Sequence, residues 1–218
     1  MNASIRCWVS VQARLRRLAG HAFVRRFSAG QVIFTEGEPS EHLYVVRRGR
    51  VRILVQSPHG DELTLSVLAA GDTLGELSVL DEQPRSATAE ALEAVELVTV
   101  PATDVRAVLH ADPALLLAVA IELAAMVRRL TGGSADLVFL DLPRRLAKLL
   151  VAEAKRGCDG TLRADLGLNQ SGVAARLGVT RQSLNRALAG LTRRGWLRPD
   201  GTGFVVEDLP SLRRFAES

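Results

Sequence analysis

Gly75-Glu76-Leu77-Ser78-Val79-Leu80-Asp81-Glu82-Gln83-Pro84-Arg85-Ser86-Ala87-Thr88-Ala89 is the stretch on which the reading of this 218-residue chain turns. It gathers a Gly-Glu-Leu turn, a Pro-Arg-Ser step and a run of small residues into one short loop. Gly75 allows backbone to approach a ligand closely. A short helix beginning near Glu76 would direct its first N–H groups at an anion. Arg85 can fork onto phosphate oxygens, a geometry that lysine reproduces less well. Ser86 adds a hydroxyl donor, and Glu76 can accept from a sugar hydroxyl. Together these residues suit a phosphorylated sugar. The competing reading is an exposed turn with a surface ion pair.

Around this stretch, residues 23 to 100 read as strands and turns. Gly30, Gly37, Gly49, Gly60 and Gly71 punctuate short β-rich runs, the last three at even spacing. Between them lie Leu43-Tyr44-Val45-Val46, Val51-Arg52-Ile53-Leu54-Val55 and Leu63-Thr64-Leu65-Ser66-Val67, the last alternating as a half-buried strand does. Val95 to Val100 is a further run. Such spacing predicts a jelly roll or barrel that can hold a ligand among its strands. Before it, Val11 to Leu18 reads as a short basic helix.

Asp112-Pro113 opens a long helix, with Asp as cap and Pro in the first turn. Leu116, Leu123, Leu130 and Leu137 recur every seventh residue, and Ala120, Val127 and Ser134 fill the alternate heptad position. This fits a coiled-coil seam and hence a homodimer; the same helix could instead lie on its own β-domain, or do both. Gly132-Gly133 interrupts the pattern at roughly 1 kcal/mol each relative to Ala, so a kink or softened segment is expected there. Asp141-Leu142-Pro143 starts another helix, which Arg156-Gly157-Cys158-Asp159-Gly160 ends.

Leu168 to Leu191 reads as helix–turn–helix. The first helix covers Gln170 to Leu177, Gly178 makes the turn, and Thr180 caps the second helix, Arg181 to Leu191. Val173, Ala174, Leu177, Val179, Leu184 and Leu188 fall where two short helices pack. Arg181, Gln182, Asn185 and Arg186 are left outward near the second helix's N-terminus, the end that enters a major groove. Arg suits guanine O6 and N7, and Gln suits adenine N6 and N7. Trp196-Leu197-Arg198 and Phe204-Val205-Val206 flank Pro199-Asp200-Gly201-Thr202-Gly203, a hairpin with a flexible turn, hence a wing. Asp208-Leu209-Pro210 caps a last short helix. The residues alone give no reason for Gly172 in the first helix.

Charge agrees with a polyanionic partner. The formal net charge is +4, and Ala174 to Arg198 holds Arg176, Arg181, Arg186, Arg193, Arg194 and Arg198 without an Asp or Glu. A solvated helix face usually mixes signs; a one-sign block reads as an anion-facing surface. Hydrophobic residues at 47% and charged residues at 24% indicate a globular chain, with no apolar run long enough to span a membrane and no convincing signal peptide in Met1 to Val11. Cys7 and Cys158 are too few for an iron–sulfur cluster, and His21, His42, His59 and His110 show no metal spacing. No nucleophile–base pair or Walker-type loop appears, so the chain is not expected to be an enzyme.

The cassette around Gly75 and Arg85 resembles the phosphate-binding cassette of cyclic-nucleotide-binding domains. The resemblance runs along nearly the whole chain to the bacterial cyclic-AMP receptor (Crp/Fnr) family of transcription regulators. It implies an α+β protein: a cyclic-nucleotide-binding double-stranded β-helix (jelly roll) over residues 1–111, a dimerisation helix and hinge over 112–140, and a winged helix–turn–helix over 141–218. It implies cyclic AMP as effector, with cyclic GMP as the alternative, and no metal. Gly75, Glu76, Leu77, Arg85 and Ser86 would hold the ligand's phosphate and ribose, and Thr131 its base. The dimer would join through Leu116, Leu123, Val127, Leu130 and Leu137. Thr180, Arg181, Gln182, Asn185 and Arg186 would read a pseudo-palindromic double-stranded DNA site, two recognition helices standing about 34 Å apart. RNA polymerase is the further partner and the cytoplasm the expected compartment. Two features depart from the family. The long helix there normally runs without a glycine pair, and Gln182 stands where readers of the common TGTGA half-site carry Glu. The rival readings are a same-fold regulator that senses another ligand or none, and a cyclic-nucleotide receptor subunit that controls an enzyme; the winged helix argues against the second.

Overall fold

The structure, a computed structural model, describes residues 22–217 except Cys158 and Thr202, and gives no account of the side chains of Glu122, Arg129 and Ser134 within their helix. The expected basic helix Val11 to Leu18, both cysteines and His21 lie outside the described residues. The chain divides into two compact units. One comprises the residues up to Asp61 together with Leu65–Arg129, and the other Glu62–Thr64 with the residues from Leu130 onward.

Strands dominate the first unit: β1 (Phe23–Phe27), β2 (Val32–Phe34), β3 (His42–Arg48), β4 (Val51–Gln56), β5 (Glu62–Leu68), β6 (Thr73–Leu74), β7 (Thr88–Ala91) and β8 (Val95–Pro101). They form two four-stranded sheets, ordered β1-β8-β3-β6 and β2-β7-β4-β5. The alternation legible in the sequence puts Phe27, Phe34, Tyr44, Val46, Leu74 and Leu97 into one core between strands. A six-residue helix, α1 (Glu76–Asp81), follows β6 directly.

A second core lies on α1, α2 (Ala102–Ala111) and the long helix α3 (Pro113–Phe139). Helix α2 is not among the elements that the sequence pattern predicts. Its apolar residues Ala102, Val105, Val108 and Leu109 recur at helical spacing and are all buried. With Leu43, Val79, Val100, Leu115 and Val119 they make a cluster that leaves the cassette helix and the start of α3 sharing one apolar interior. Asp112 opens α3 as expected, its Oδ1 accepting from the N–H groups of Ala114 and Leu115, both at 3.1 Å. Among the described residues no single helix is long and apolar enough to cross a membrane.

The glycine pair does not break α3. The helix is continuous from Pro113 to Phe139, and a Cβ at Gly132 or Gly133 would meet nothing within 4 Å. The two glycines cost about 2 kcal/mol relative to Ala, and the helix runs through them all the same.

The second unit contains α4 (Leu142–Glu153), β9 (Ala154–Arg156), β10 (Leu162–Ala164), α5 (Gln170–Leu177), α6 (Arg181–Arg193), β11 (Leu197–Asp200), β12 (Gly203–Val206) and α7 (Leu209–Glu217). Asp141 caps α4 by accepting from the Arg144 N–H at 3.0 Å, and Asp208 does the same at the start of α7 for Ser211 at 2.9 Å. Leu146, Ala147 and Leu150 of α4 are fully buried and make the centre of this unit's core, together with Leu184, Leu191 and Leu212. The sheet order β11-β12-β10-β9 reveals a hairpin, β9–β10, that reads in sequence only as a glycine-rich helix end.

The apolar residues of α3 divide between two duties. Leu115 and Val119 are buried against the first unit's helical core, while Leu116, Val127, Leu130 and Leu137 are 50%, 61%, 58% and 65% exposed. Leu123 is half-buried and packs on the core cluster. At about 100° per residue, Leu116 and Val127 lie within about 40° of Leu123 round the helix, so the core-facing stripe and the bare stripe adjoin at Leu123. The bare stripe follows the heptad pattern of a seam that a second copy covers. A glutamate at Val127 would bury an unpaired charge in that seam, so Val127→Glu should be monomeric by light scattering where the natural chain is dimeric, with the melting of the first unit preserved. Leu123→Glu should lower both. A dimeric Val127→Glu would move the interface elsewhere.

Candidate functional site

Arg85 is not on the surface. It is 4% exposed, so it is not half of a surface ion pair, although the loop on either side of it is exposed. Its Nη1 donates to the Gly75 carbonyl at 3.0 Å and its Nη2 to the His42 carbonyl at 2.6 Å. The guanidinium carbon lies 4.3 Å from the centre of the Phe34 ring and 5.7 Å from that of Tyr44, close enough for cation–π attraction. The backbone is pinned as firmly: the Arg85 N–H donates to the Glu38 carbonyl at 2.9 Å, and the Gly37 N–H to the Arg85 carbonyl at 2.8 Å. The Ser78 hydroxyl closes the loop by donating to the Pro84 carbonyl at 3.3 Å. The supporting residues Phe34, His42, Tyr44 and the Gly37–Glu38 turn were not found from sequence. They are ordinary strand and turn residues, without a local signal.

Gly75 explains itself at atomic level. It precedes α1 at φ 84°, in the left-handed region, and a Cβ there would collide with Arg85 Nη1. The first residue of α1, Glu76, is brought beside Arg85. Burial pushes its carboxyl above the usual range, while its own backbone N–H and the Arg85 charge pull it back. Burial likewise lowers the Arg85 guanidinium, which the Tyr44, Glu76 and Glu38 side chains counteract. Two polar atoms in this pair are sealed from solvent without a hydrogen-bond partner, Glu76 Oε2 and Arg85 Nε. A buried acceptor and a buried cationic donor left unmatched are costly. A molecule offering a hydroxyl to one and an anionic oxygen to the other would match both, which is the chemistry of a sugar phosphate. Leu77 is half-buried and Ser86 exposed in the bend after Arg85. Thr131 is exposed on α3 in the second unit.

A second site is built on α5 and α6. Asn169 caps α5 by accepting from the Gly172 N–H at 2.9 Å. The structure also accounts for Gly172: it is buried, and a Cβ would come within 3.0 Å of the Leu168 side chain, which packs over the first turn. Gly178 makes the turn at φ 64°, and its neighbouring helix end is closed by Arg145 Nη1 donating to the Leu177 carbonyl at 3.1 Å. Thr180 caps α6, accepting from the Ser183 N–H at 3.2 Å. Leu184, Ala187, Leu188 and Leu191 face inward, and Arg181, Gln182, Asn185 and Arg186 are exposed together on the outer side of the helix's first two turns. Arg181 and Arg186 bond only to uncharged groups among the described residues, Gln170 Oε1 and Ser183 Oγ, each at 3.4 Å.

The arginine block is less uniform than the sequence suggested. Arg176 pairs with Glu153 at 2.9 Å and Arg198 with Glu207 at 2.9 Å, while the Arg194 guanidinium lies over the Trp196 and Phe215 rings. Their counter-charges come from outside the block and are brought in by folding. Among the described residues no group of three or more His, Cys, Asp or Glu side chains could hold a metal ion.

Two family models match the chain, one over each of these regions. Residues 24–112 match the cyclic nucleotide-binding domain model and residues 144–215 the Crp-like helix-turn-helix domain model. The chain is 35% identical over 87% of its length to the CRP-like cAMP-activated global transcriptional regulator of Mycobacterium tuberculosis, covering 86% of that protein. It is 26% identical over 85% of its length to the cAMP-activated global transcriptional regulator CRP of Escherichia coli, covering 90% of that protein. Among solved structures it resembles a CooA mutant from Carboxydothermus hydrogenoformans with a TM-score of 0.77 and 26% identity, over 89% of this chain and 88% of that one.

The contact between Gly75 and Arg85 can be tested directly. Gly75→Ala forces a side chain into the left-handed region, which costs on the order of 1–3 kcal/mol, and displaces the guanidinium from its carbonyl. Chemical denaturation should show a loss of that size, and titration with cyclic AMP a weakened site. A variant as stable as the natural chain, with unchanged binding, would contradict the geometry described.

Proposed function

The chain belongs to the Crp/Fnr family of transcription regulators, and from that premise we propose that it is a dimeric, DNA-binding regulator whose effector is cyclic AMP. The observation that carries the ligand reading is the buried Glu76–Arg85 pair with its two unmatched atoms. The Arg85 guanidinium and the Ser86 hydroxyl are the donors for the cyclic phosphate, and the Glu76 carboxylate is the acceptor for the ribose hydroxyl. Thr131, which the resemblance assigns to the base, belongs to the second unit. The names of the similar regulators in Mycobacterium tuberculosis and Escherichia coli, both cAMP-activated, support cyclic AMP over cyclic GMP.

Binding biases DNA recognition only if the ligand favours one arrangement of the dimer over another. The cassette helix and the start of α3 share one apolar core through Val79, Leu115 and Val119, so an occupied cassette bears on the helix that carries the seam. The α6 side chains Arg181, Gln182, Asn185 and Arg186 then read the two halves of a pseudo-palindromic site, and regulation follows through RNA polymerase at the promoter.

Two measurements test this. Calorimetric titration with cyclic AMP and cyclic GMP should show binding of the first. Arg85→Ala removes bonds to a charged group worth roughly 1.5–3 kcal/mol, so its affinity should fall at least tenfold with the fold retained by circular dichroism. No heat with either nucleotide would leave a regulator of this fold with another effector. For DNA, binding sites selected from random sequence should differ between the natural chain and Gln182→Glu, the variant shifting one half-site position toward cytosine, whose N4 donates to a carboxylate. Identical motifs would remove Gln182 from base reading.

A further inference from the structure

The hairpin β11–β12 poses an electrostatic problem that its own residues do not solve. From Leu197 to Glu207 it carries one cation, Arg198, against two acids, Asp200 and Glu207. Arg198 is already committed to Glu207, its Nε donating to Oε1 at 2.9 Å. The acid left over, Asp200, ends β11 at the hairpin's tip. A wing of net negative charge would be repelled by a phosphate backbone.

The compensating cation comes from another strand. Arg163 of β10 donates through Nε to Asp200 Oδ2 at 2.9 Å and through Nη1 to Asp159 Oδ2 at 2.8 Å. Asp159 lies in the turn between β9 and β10, where its Oδ1 also accepts from the Thr161 N–H at 3.0 Å. To reach Asp200, Arg163 must cross β12. The register sets Val205 opposite Arg163 and Gly203 opposite Asp200. Positions 203 and 205 share a face of the strand, and at 203 there is no side chain to obstruct the guanidinium. Gly203 is itself constrained, since a Cβ there would come within 2.9 Å of the Ala164 carbonyl. The bond from Arg163 holds the Asp159 carboxyl below its usual range.

We propose that Arg163 favours DNA binding by pairing with the Asp200 and Asp159 carboxylates, offsetting part of the negative charge that the wing tip and the β9–β10 turn would otherwise set against the phosphates. This rests on the DNA-binding reading above. Isolated surface ion pairs contribute little to stability, so the role is expressed in affinity and its salt dependence rather than in melting.

The experiment uses the full chain with cyclic AMP and the DNA site selected from random sequence, followed by fluorescence anisotropy over a range of salt. Arg163→Ala should bind about tenfold more weakly at low salt, with the deficit narrowing as salt screens the exposed carboxylates. Cyclic-AMP affinity should be unchanged. The triple variant Arg163→Ala, Asp159→Asn, Asp200→Asn removes the repulsion with the cation and should regain most of the lost affinity. Natural-like binding by Arg163→Ala at every salt concentration would overturn the proposal. So would a triple variant as weak as the single one, since Arg163 would then be acting by direct contact with phosphate. Failure of the natural chain to select any DNA is a separate outcome, which would remove the DNA-binding reading and this proposal with it.

Discussion

Arg85 places a cation inside the sensor unit, with carbonyl oxygens at two of its nitrogens and the faces of Phe34 and Tyr44 against its plane. Removing a guanidinium from water is expensive unless its hydrogen bonds and charge are met, and this requirement organises the surrounding chain. Gly75 must be bare so that the side chain can pass. β3 must present the His42 carbonyl, and the Gly37–Glu38 turn must hold the Arg85 backbone. Glu76 supplies a nearby negative charge, yet burial also disfavours that charge. The pair is therefore preorganised but incompletely satisfied, the condition in which a ligand carrying both an anion and a hydroxyl gains most from binding.

How much of this was legible beforehand depended on whether the cause was local. Glycine spacing and two-residue alternation disclosed the strands of the first unit. Asp112, Asp141, Thr180 and Asp208 announced helix starts because an N-cap acts within three residues. The residue types of the cassette suggested an anion site before any fold was known. The burial of Arg85 was not legible, because it depends on Phe34, His42 and Tyr44, which are distant in sequence and unremarkable in type. Helix α2 was missed between two stronger signals, the strand ending at Pro101 and the Asp112-Pro113 start. The pairing of β9 with β10 was hidden because each strand is three residues long. Gly172 acquires a reason only when Leu168 is seen lying over it.

The second unit shows why a run of like charges overstates a binding surface. Arg176 and Arg198 belong to the block by sequence and to ion pairs by structure. Arg194 is held over aromatic rings. Each of these pairs adds little to stability at the surface, but each decides which guanidiniums remain available to a polyanion. What survives the sorting is Arg181 and Arg186 on the exposed side of α6, with Gln182 and Asn185 between them, and Arg193 in the last turn of the same helix. In the proposed function, specific reading falls to the α6 side chains, while the general attraction depends on the balance over the whole surface.

Leu123 has a consequence for how this protein can change. Its side chain packs on the core that includes Val79 of the cassette helix, and it adjoins the exposed stripe of α3. Anyone redesigning the seam at this position would be redesigning the sensor as well, and a lineage that drifted here would need a compensating change in the other interior. Val127 and Leu130 carry no such double obligation to that core, so partner choice can be altered there while ligand sensing is kept. The helix thus separates into a position where the two traits are inherited together and positions where they can part.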